Sequence, residues 1–237
     1  MKPIPIYIGY DPVEPVAYHV LCHSILSRTS IPCSIMPLKL STLPELTRPR
    51  EITQSNDFSF SRWLVPYLNN YEGHAIYMDC DMLCLDDIAK LWKVRNKEEI
   101  VQVVKHNFIP KTTEKYLGNK QIGYDRKNWS SMMLFNCSKC DILTPTIVNT
   151  VHGFWLHKFE WIDQVTNSFW AVGSLPINWN YLVGYNSRDM IHGDPSIVHF
   201  TEGGPWIQDD KRYSNQEFSN EWWHEYHKAT YAKQQNT

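Results

Sequence analysis

Short apolar runs alternate with amphipathic stretches along this chain, and the first of them predict a β-α-β order. Ile4 to Tyr10 (IPIYIGY) reads as a buried strand rich in β-branched and aromatic residues, broken by Gly9-Tyr10-Asp11-Pro12. Between Glu14 and Arg28, Val16, Val20, Leu21, Ser24 and Ile25 recur at helical spacing, and Cys33 to Leu38 reads as the second strand. This opening predicts an α/β nucleotide-binding architecture with its ligand at the carboxyl ends of the strands. Neither Gly-x-Gly-x-x-Gly nor a P-loop occurs, so a dinucleotide fingerprint and a P-loop NTPase are not expected.

The pattern continues in the same manner. Ser41 to Phe58, with Pro44 and Pro49, reads as an irregular loop, and Ser59 to Leu68 as a short helix carrying Arg62. Asp86-Asp87 marks a helix N-terminus, where acidic side chains suit the dipole. Ile100 to Val104 and Ser131 to Asn136 are further strands. Between them, Phe108 to Lys127 is polar and holds Lys111, Lys115, Lys120, Arg126 and Lys127; a connection of that length suggests a lid over an anionic substrate or a solvated connector. Thr146 to Phe159 predicts a helix bearing much of an aromatic cluster of Phe154, Trp155, Phe159 and Trp161. A strand near Ser174-Leu175, the turn Pro176 to Asn180 and a last strand Ile197 to Phe200 follow. The chain is expected to close on a polar, aromatic helix at about 215–232. With no internal repeat and no linker-like tract, one domain over residues 1–237 is the simplest organisation.

One apolar run differs from the others. Ala75 to Leu83 (AIYMDCDML) carries two aspartates one residue apart, and in an extended segment both carboxylates emerge on one face. Two charges in such a run cost several kcal/mol unless compensated. A hard divalent cation compensates them; a strand ending at Met78, with the acids in a solvated turn, is the alternative. His199 ends a strand and enters the Gly203-Gly204 turn, the same kind of location. Two carboxylates and a neutral imidazole make a partial shell for Mn²⁺ or Mg²⁺, and backbone N–H groups around the glycines add anion contacts.

Composition narrows the classes. The 237 residues are 43% hydrophobic, enough for a full core, and a net charge of −2 supplies no general field for nucleic acid or an anionic membrane. No apolar run approaches the 18 or so residues of a membrane span, and no secretory signal is read before the first strand. The six cysteines, at 22, 33, 80, 84, 137 and 140, suggest no disulfide framework, and Cys137-Ser-Lys-Cys140 has no second Cys-x-x-Cys to complete a zinc site. A cytoplasmic protein with reduced thiols is expected.

The ordered set of motifs resembles the retaining glycosyltransferases of family 8, the glycogenin and lipopolysaccharide galactosyltransferase group, over most of the chain. Ile8-Gly9-Tyr10-Asp11 is similar to that family's first-strand segment for the base and ribose. Phe60-Ser61-Arg62-Trp63-Leu64-Val65-Pro66-Tyr67-Leu68 resembles its Arg-bearing helix, and Tyr77-Met78-Asp79-Cys80-Asp81 its Asp-x-Asp strand. Ser130 to Asn136 (SSMMLFN) resembles the strand written NSGVMLFN, Asp163-Gln164 the acceptor-side Asp-Gln pair, and His199 through Pro205-Trp206 the closing HxxGxxKPW motif.

The resemblance implies a GT-A fold: α/β, one Rossmann-like nucleotide-diphospho-sugar transferase domain with a mixed, mostly parallel central sheet. It implies a UDP-sugar donor, a saccharide or lipid-linked glycan acceptor, and Mn²⁺ or Mg²⁺ on Asp79, Asp81 and His199. Gly9, Tyr10, Asp11, Arg62, Asp79, Cys80, Gly203 and Gly204 would hold the nucleotide; His106, Asn128, Ser130 and Ser131 would face the donor sugar or acceptor. Asp163 and Gln164 would stand beside the reacting sugar, with retention through front-face departure and attack or a short-lived covalent intermediate.

Three departures qualify the likeness. The closing motif is one residue shorter and lacks its lysine, so the metal and backbone must suffice or a residue such as Lys105 or Lys111 must replace it. Trp129-Ser130-Ser131 stands for Asn-Ser-Gly, and Val165 for a third acid. A non-catalytic nucleotide-sugar or glycan-binding module is the second reading. A haloacid dehalogenase-type phosphatase needs a Thr where Leu83 stands. Peripheral contact with a membrane through a lipid-linked acceptor stays open, although the C-terminal helix carries no strongly basic face.

Overall fold

The computed structural model describes residues 2–51, 54, 56–111, 123–166 and 171–231. Lys115 and Lys120 of the polar connection lie outside them. Six strands form the central sheet: β1 (Ile4–Gly9), β2 (Cys33–Leu38), β3 (His74–Met78), β5 (Val101–Val103), β6 (Met132–Asn136) and β7 (Val172–Ser174). They stand in the order β2-β1-β3-β6-β5-β7, and β6 alone runs against its neighbours β3 and β5. The expected mixed, mostly parallel α/β sheet is therefore present. Pro37 is accommodated because β2 is an edge strand, where a missing ladder donor costs little.

Both faces of the sheet are covered, which explains why its strands read as continuous apolar runs rather than alternating ones. Along β3 and β6, Ala75, Tyr77, Met133 and Phe135 point into one core with Trp63, Phe159 and Trp161. Ile76, Met78, Met132 and Leu134 point into the other with Ala17, Leu21 and Ile25 of α1 (Pro15–Leu26) and with Ile88, Ala89 and Leu91 of α3 (Ile88–Lys93). Asp87 caps α3, accepting from the Ala89 N–H at 2.9 Å, as its position at a helix start predicts.

A second sheet of three short strands, ordered β4 (Met82–Cys84), β9 (Ile197–His199) and β8 (Tyr181–Leu182), packs beside the first. The run from Ala75 to Leu83 is thus two strands in two sheets rather than one. The Asp79 N–H still donates to Ser131 O at 2.8 Å, continuing the β3–β6 ladder, and Asp81 O accepts from Phe200 N at 2.9 Å, opening the β4–β9 ladder. The two aspartates sit at the seam where the chain changes sheets.

The helices are shorter than the periodicity suggests. Ser61–Leu64 is a 3₁₀ turn leading into α2 (Val65–Leu68). The helix expected over Thr146–Phe159 is divided into α4 (Pro145–Thr150) and α5 (Gly153–His157), because Val151 and His152 are extended and the His152 imidazole caps the Phe154 N–H. Then come α6 (Ile162–Val165), α7 (Lys211–Ser214) and α8 (Ser219–Thr230), the last packing on α1. Among the described residues no helix is long and apolar enough to cross a membrane, and all six cysteines are free thiols.

Candidate active site

At the end of β3, two groups fix Asp79. The Tyr77 hydroxyl donates to its Oδ1 at 2.6 Å, and an Arg62 Nη lies 3.0 Å from the same oxygen. Arg62 is buried and also donates to Ser130 O at 2.7 Å, so the 3₁₀ turn is tied to both β3 and the start of β6. Burial pushes the Asp79 carboxyl up, with Arg62 opposing it and Asp81 adding to it. Arg62 offsets one of the two carboxylates and leaves one negative charge, a balance that suits a divalent cation.

His199 closes the group. Its Nδ1 lies 3.0 Å from Asn180 Oδ1, and Asn180 Nδ2 donates to Ser131 Oγ at 2.9 Å, so the amide oxygen is the face turned to the imidazole. Nδ1 is then the protonated nitrogen, and the Nε2 lone pair points at Asp81 Oδ1 only 3.2 Å away. A cation held between the two groups would satisfy both. Ligand atoms of Asp79, Asp81 and His199 all lie within 4.8 Å of one another. Donor types, charge balance and the buried Asn180 behind the imidazole all fit a divalent metal with carboxylate and imidazole ligands.

These groups open into a cavity of about 400 Å³, a size suited to a small organic ligand. Phe60, Tyr124, Lys127, Asn128, Ser130, Ser131, His157 and Thr201 are among the residues that line it. Of the site residues singled out in the sequence, Arg62, Asp79, Asp81, Asn128, Ser130, Ser131 and His199 line this cavity.

A family model, glycosyl transferase family 8, matches residues 19–210. The chain belongs to glycosyl transferase family 8. It is 41% identical over 233 residues to Protein CDI of Arabidopsis thaliana, covering 94% of this chain and 86% of that one. Its fold is similar to that of the galactosyltransferase LgtC in complex with donor and acceptor sugar analogs, at TM-score 0.58 and 12% identity, covering 98% of each chain. It is also similar to the glycosyltransferase GlyE of Streptococcus pneumoniae TIGR4, at TM-score 0.61 and 14% identity over 95% of this chain. The chain spans 60% of GlyE and 52% of the bifunctional glycosyltransferase WbbM, a further fold match at TM-score 0.57 and 14% identity over 94% of this chain. These are GT-A glycosyltransferases, and this family 8 member is a glycosyltransferase of that fold.

In this family 8 transferase the other motif residues are placed as follows. Gly9 does not line the cavity; the Phe58 ring fills the space a Cβ would occupy, at 2.4 Å. Tyr10 meets Tyr18 edge-on at 5.4 Å, and the Asp11 carboxylate accepts from the N–H groups of Val13 and Asp57. The buried Cys80 thiol turns away from the cavity toward Glu14. In the closing turn, Gly203 has φ 143 and a Cβ on Gly204 would meet the Trp206 ring at 1.9 Å, so each glycine has a local structural reason. His106 is buried, pulled down to about 3 by burial with His199 adding to it; its backbone carbonyl accepts from Trp129 Nε1. Asp163 and Gln164 stand exposed on α6 and are not among the residues lining the cavity. The Lys105 ammonium bonds Val172 O, and that of Lys111 bonds Gly184 O; neither residue lines the cavity.

Four contributors had no such role assigned from the sequence: Asn180 as the acceptor for His199, and Tyr124, Lys127 and His157 in the wall. His157 is enclosed by Phe60, Trp63 and Tyr124. Burial, then Arg62 and Arg48, holds it down to about 3, so it is neutral and its Nδ1 accepts from the Ser130 hydroxyl at 3.2 Å. Asn180 ends the turn Pro176 to Asn180 read from the sequence, which marked the segment but not its part in holding His199. Lys127 was marked only as one cation of the polar connection, and Tyr124 and His157 carry no signal.

Proposed function

We propose that this glycosyltransferase moves a sugar from a nucleoside diphosphate sugar, a UDP-sugar, to a saccharide or lipid-linked glycan acceptor, with retention, and that it depends on Mn²⁺ or Mg²⁺. The observation that carries the reading is the Asp79–Asp81–His199 group at the mouth of β3, backed by buried Arg62 and opening into the cavity. When bound there, a divalent cation supplies Lewis-acid stabilisation of the charge that develops on the departing diphosphate. Tyr77 and Arg62 orient Asp79, and Asn180 orients His199. Ser130, fixed by the neutral His157 and the Arg62 guanidinium, presents its hydroxyl oxygen to a sugar in the cavity. Asp163 and Gln164 are proposed beside the reacting sugar on the strength of their motif, with residues 1–237 acting as one domain. The free thiols, Cys22 and Cys33 among those with some exposure, support a reducing, cytoplasmic setting.

The test is hydrolysis and transfer with a panel of UDP-sugars in Mn²⁺. Asp81→Ala is expected to abolish turnover and its metal dependence together, and unchanged UDP-sugar hydrolysis in that variant would sink the proposal. In the same assay Asp163→Asn and Gln164→Ala are expected to lower kcat while leaving UDP binding intact. Unaltered kcat in both removes the pair from the mechanism.

A further inference from the structure

We propose that Lys127 is the side chain that binds the phosphates of the nucleotide donor, an assignment that rests on the nucleoside diphosphate sugar reading above. A nucleoside diphosphate brings more negative charge than one divalent cation cancels, and this pocket already carries a net negative charge on its acidic pair. The cavity wall must therefore supply further positive charge. Two described residues of that wall, Arg62 and Lys127, carry permanent positive charge. Arg62 is buried and committed, paired with Asp79 at 3.0 Å and bonded to Ser130 O at 2.7 Å. Lys127 is half-buried at the cavity surface, where a charged ligand can reach it.

The backbone around it supports the same assignment. Arg126 and Asn128, the residues on either side, both adopt the left-handed conformation with φ 66, which residues bearing a Cβ populate sparsely. The two turns are held by Lys127 N to Tyr124 O at 3.2 Å and Trp129 N to Arg126 O at 3.1 Å. The Arg126 side chain points elsewhere, donating to Lys158 O and lying over Trp129. The consequence is that Lys127, and not Arg126, is presented at the cavity. Its Nζ rests 5.4 Å from the Phe108 ring centre and 5.9 Å from that of Tyr124, a cation–π cradle for the ammonium. Beside it, the buried Asn128 Nδ2 has no hydrogen-bond partner and adds a second donor on the same wall.

The alternatives are excluded by geometry. Lys105 and Lys111 bond to the carbonyls of Val172 and Gly184 and do not line the cavity. The Gly203-Gly204 turn holds no lysine, and the Trp206 ring closes over Gly204.

The experiment uses the full chain with Mn²⁺ and compares wild type, Lys127→Met and Lys127→Arg. UDP is titrated by calorimetry, and uridine by ligand-detected NMR. Lys127→Met is expected to weaken UDP by about 10- to 100-fold, the loss of one charge-assisted contact, with uridine within about twofold of wild type. Lys127→Arg is expected to recover most of the UDP affinity. Equal UDP binding in wild type and Lys127→Met overturns the assignment, and so does a parallel loss of UDP and uridine, which marks a structural role. If wild type binds none of UDP, GDP or ADP in Mn²⁺, the nucleotide-sugar reading itself fails, and this assignment with it.

Discussion

At the residue scale, the site depends on how its ligand groups are held. Asn180 is fully buried and links the His199 imidazole to Ser131. Removing its amide leaves the Nδ1–H of a buried imidazole without an acceptor, a cost of about 1–3 kcal/mol, and frees the ring to exchange tautomers. Asn180→Ala is accordingly expected to destabilise the fold by that amount in urea titrations and to weaken Mn²⁺ binding by about 10- to 100-fold, as measured by electron paramagnetic resonance of free Mn²⁺. Asn180→Asp keeps the acceptor oxygen and is expected to keep most of the Mn²⁺ affinity. Unchanged Mn²⁺ affinity in Asn180→Ala removes the residue from the site. The acidic pair could be read from the chain because charge inside an apolar run needs a partner. Tyr124 and His157 could not, and Lys127 could be read only as one cation of a polar connection, because nothing in those segments sets which side chain faces the site.

At the element scale, the strands were legible and the breaks between them were not. Ala75 to Leu83 is apolar in both of its halves, so nothing in the pattern marks the passage from β3 to β4; a hydrogen-bond exchange at Asp79 and Asp81 makes it. Likewise, apolar and aromatic residues fill Thr146 to Phe159 evenly, and an imidazole cap at His152 divides it. The C-terminal helix was expected from composition alone, whereas its anchorage was hidden in long-range contacts. Glu225 of α8 is buried against α1, 2.5 Å from His23 Nδ1 and 2.6 Å from Arg28 Nη2. Burial acts to raise this carboxyl, but the hydrogen bonds from Arg28 and His23 prevail and hold it below the usual glutamate value. A lowered folded-state pKa means stabilisation that is present above the unfolded value, about 4.3, and lost as pH falls through the folded one. Glu225→Gln is expected to cost about 2 kcal/mol at pH 7, less than a fully buried pair because both partners are partly exposed. In urea unfolding that difference should shrink steadily below pH 4, and a difference independent of pH would show that packing, not charge, holds α8 to α1.

At the scale of the whole molecule, the two sheets meet where the site is built. Asp79 leaves the central sheet, Asp81 and His199 belong with the second, and Arg62 reaches Asp79 and Ser130 from a turn whose Trp63 packs in the core. A ligand that engages all of them joins the sheets, so its binding energy should appear as stability of the entire fold rather than of one loop. For a ligand at a hundredfold over its Kd, the gain is about 2.7 kcal/mol, which in a protein of this length corresponds to a rise in Tm of about 5–10 °C. On the proposed reading, a metal held by Asp79, Asp81 and His199 would also meet the diphosphate, so each should strengthen the other. UDP with Mn²⁺ is expected to raise Tm by more than the separate shifts added together, and chelation of the metal should return most of the UDP effect to baseline. Asp81→Asn should retain a folded, cooperative transition while losing the excess over additivity. Shifts that merely add in the wild type would mean that metal and nucleotide occupy independent sites, and the seam between the sheets would not be where they meet.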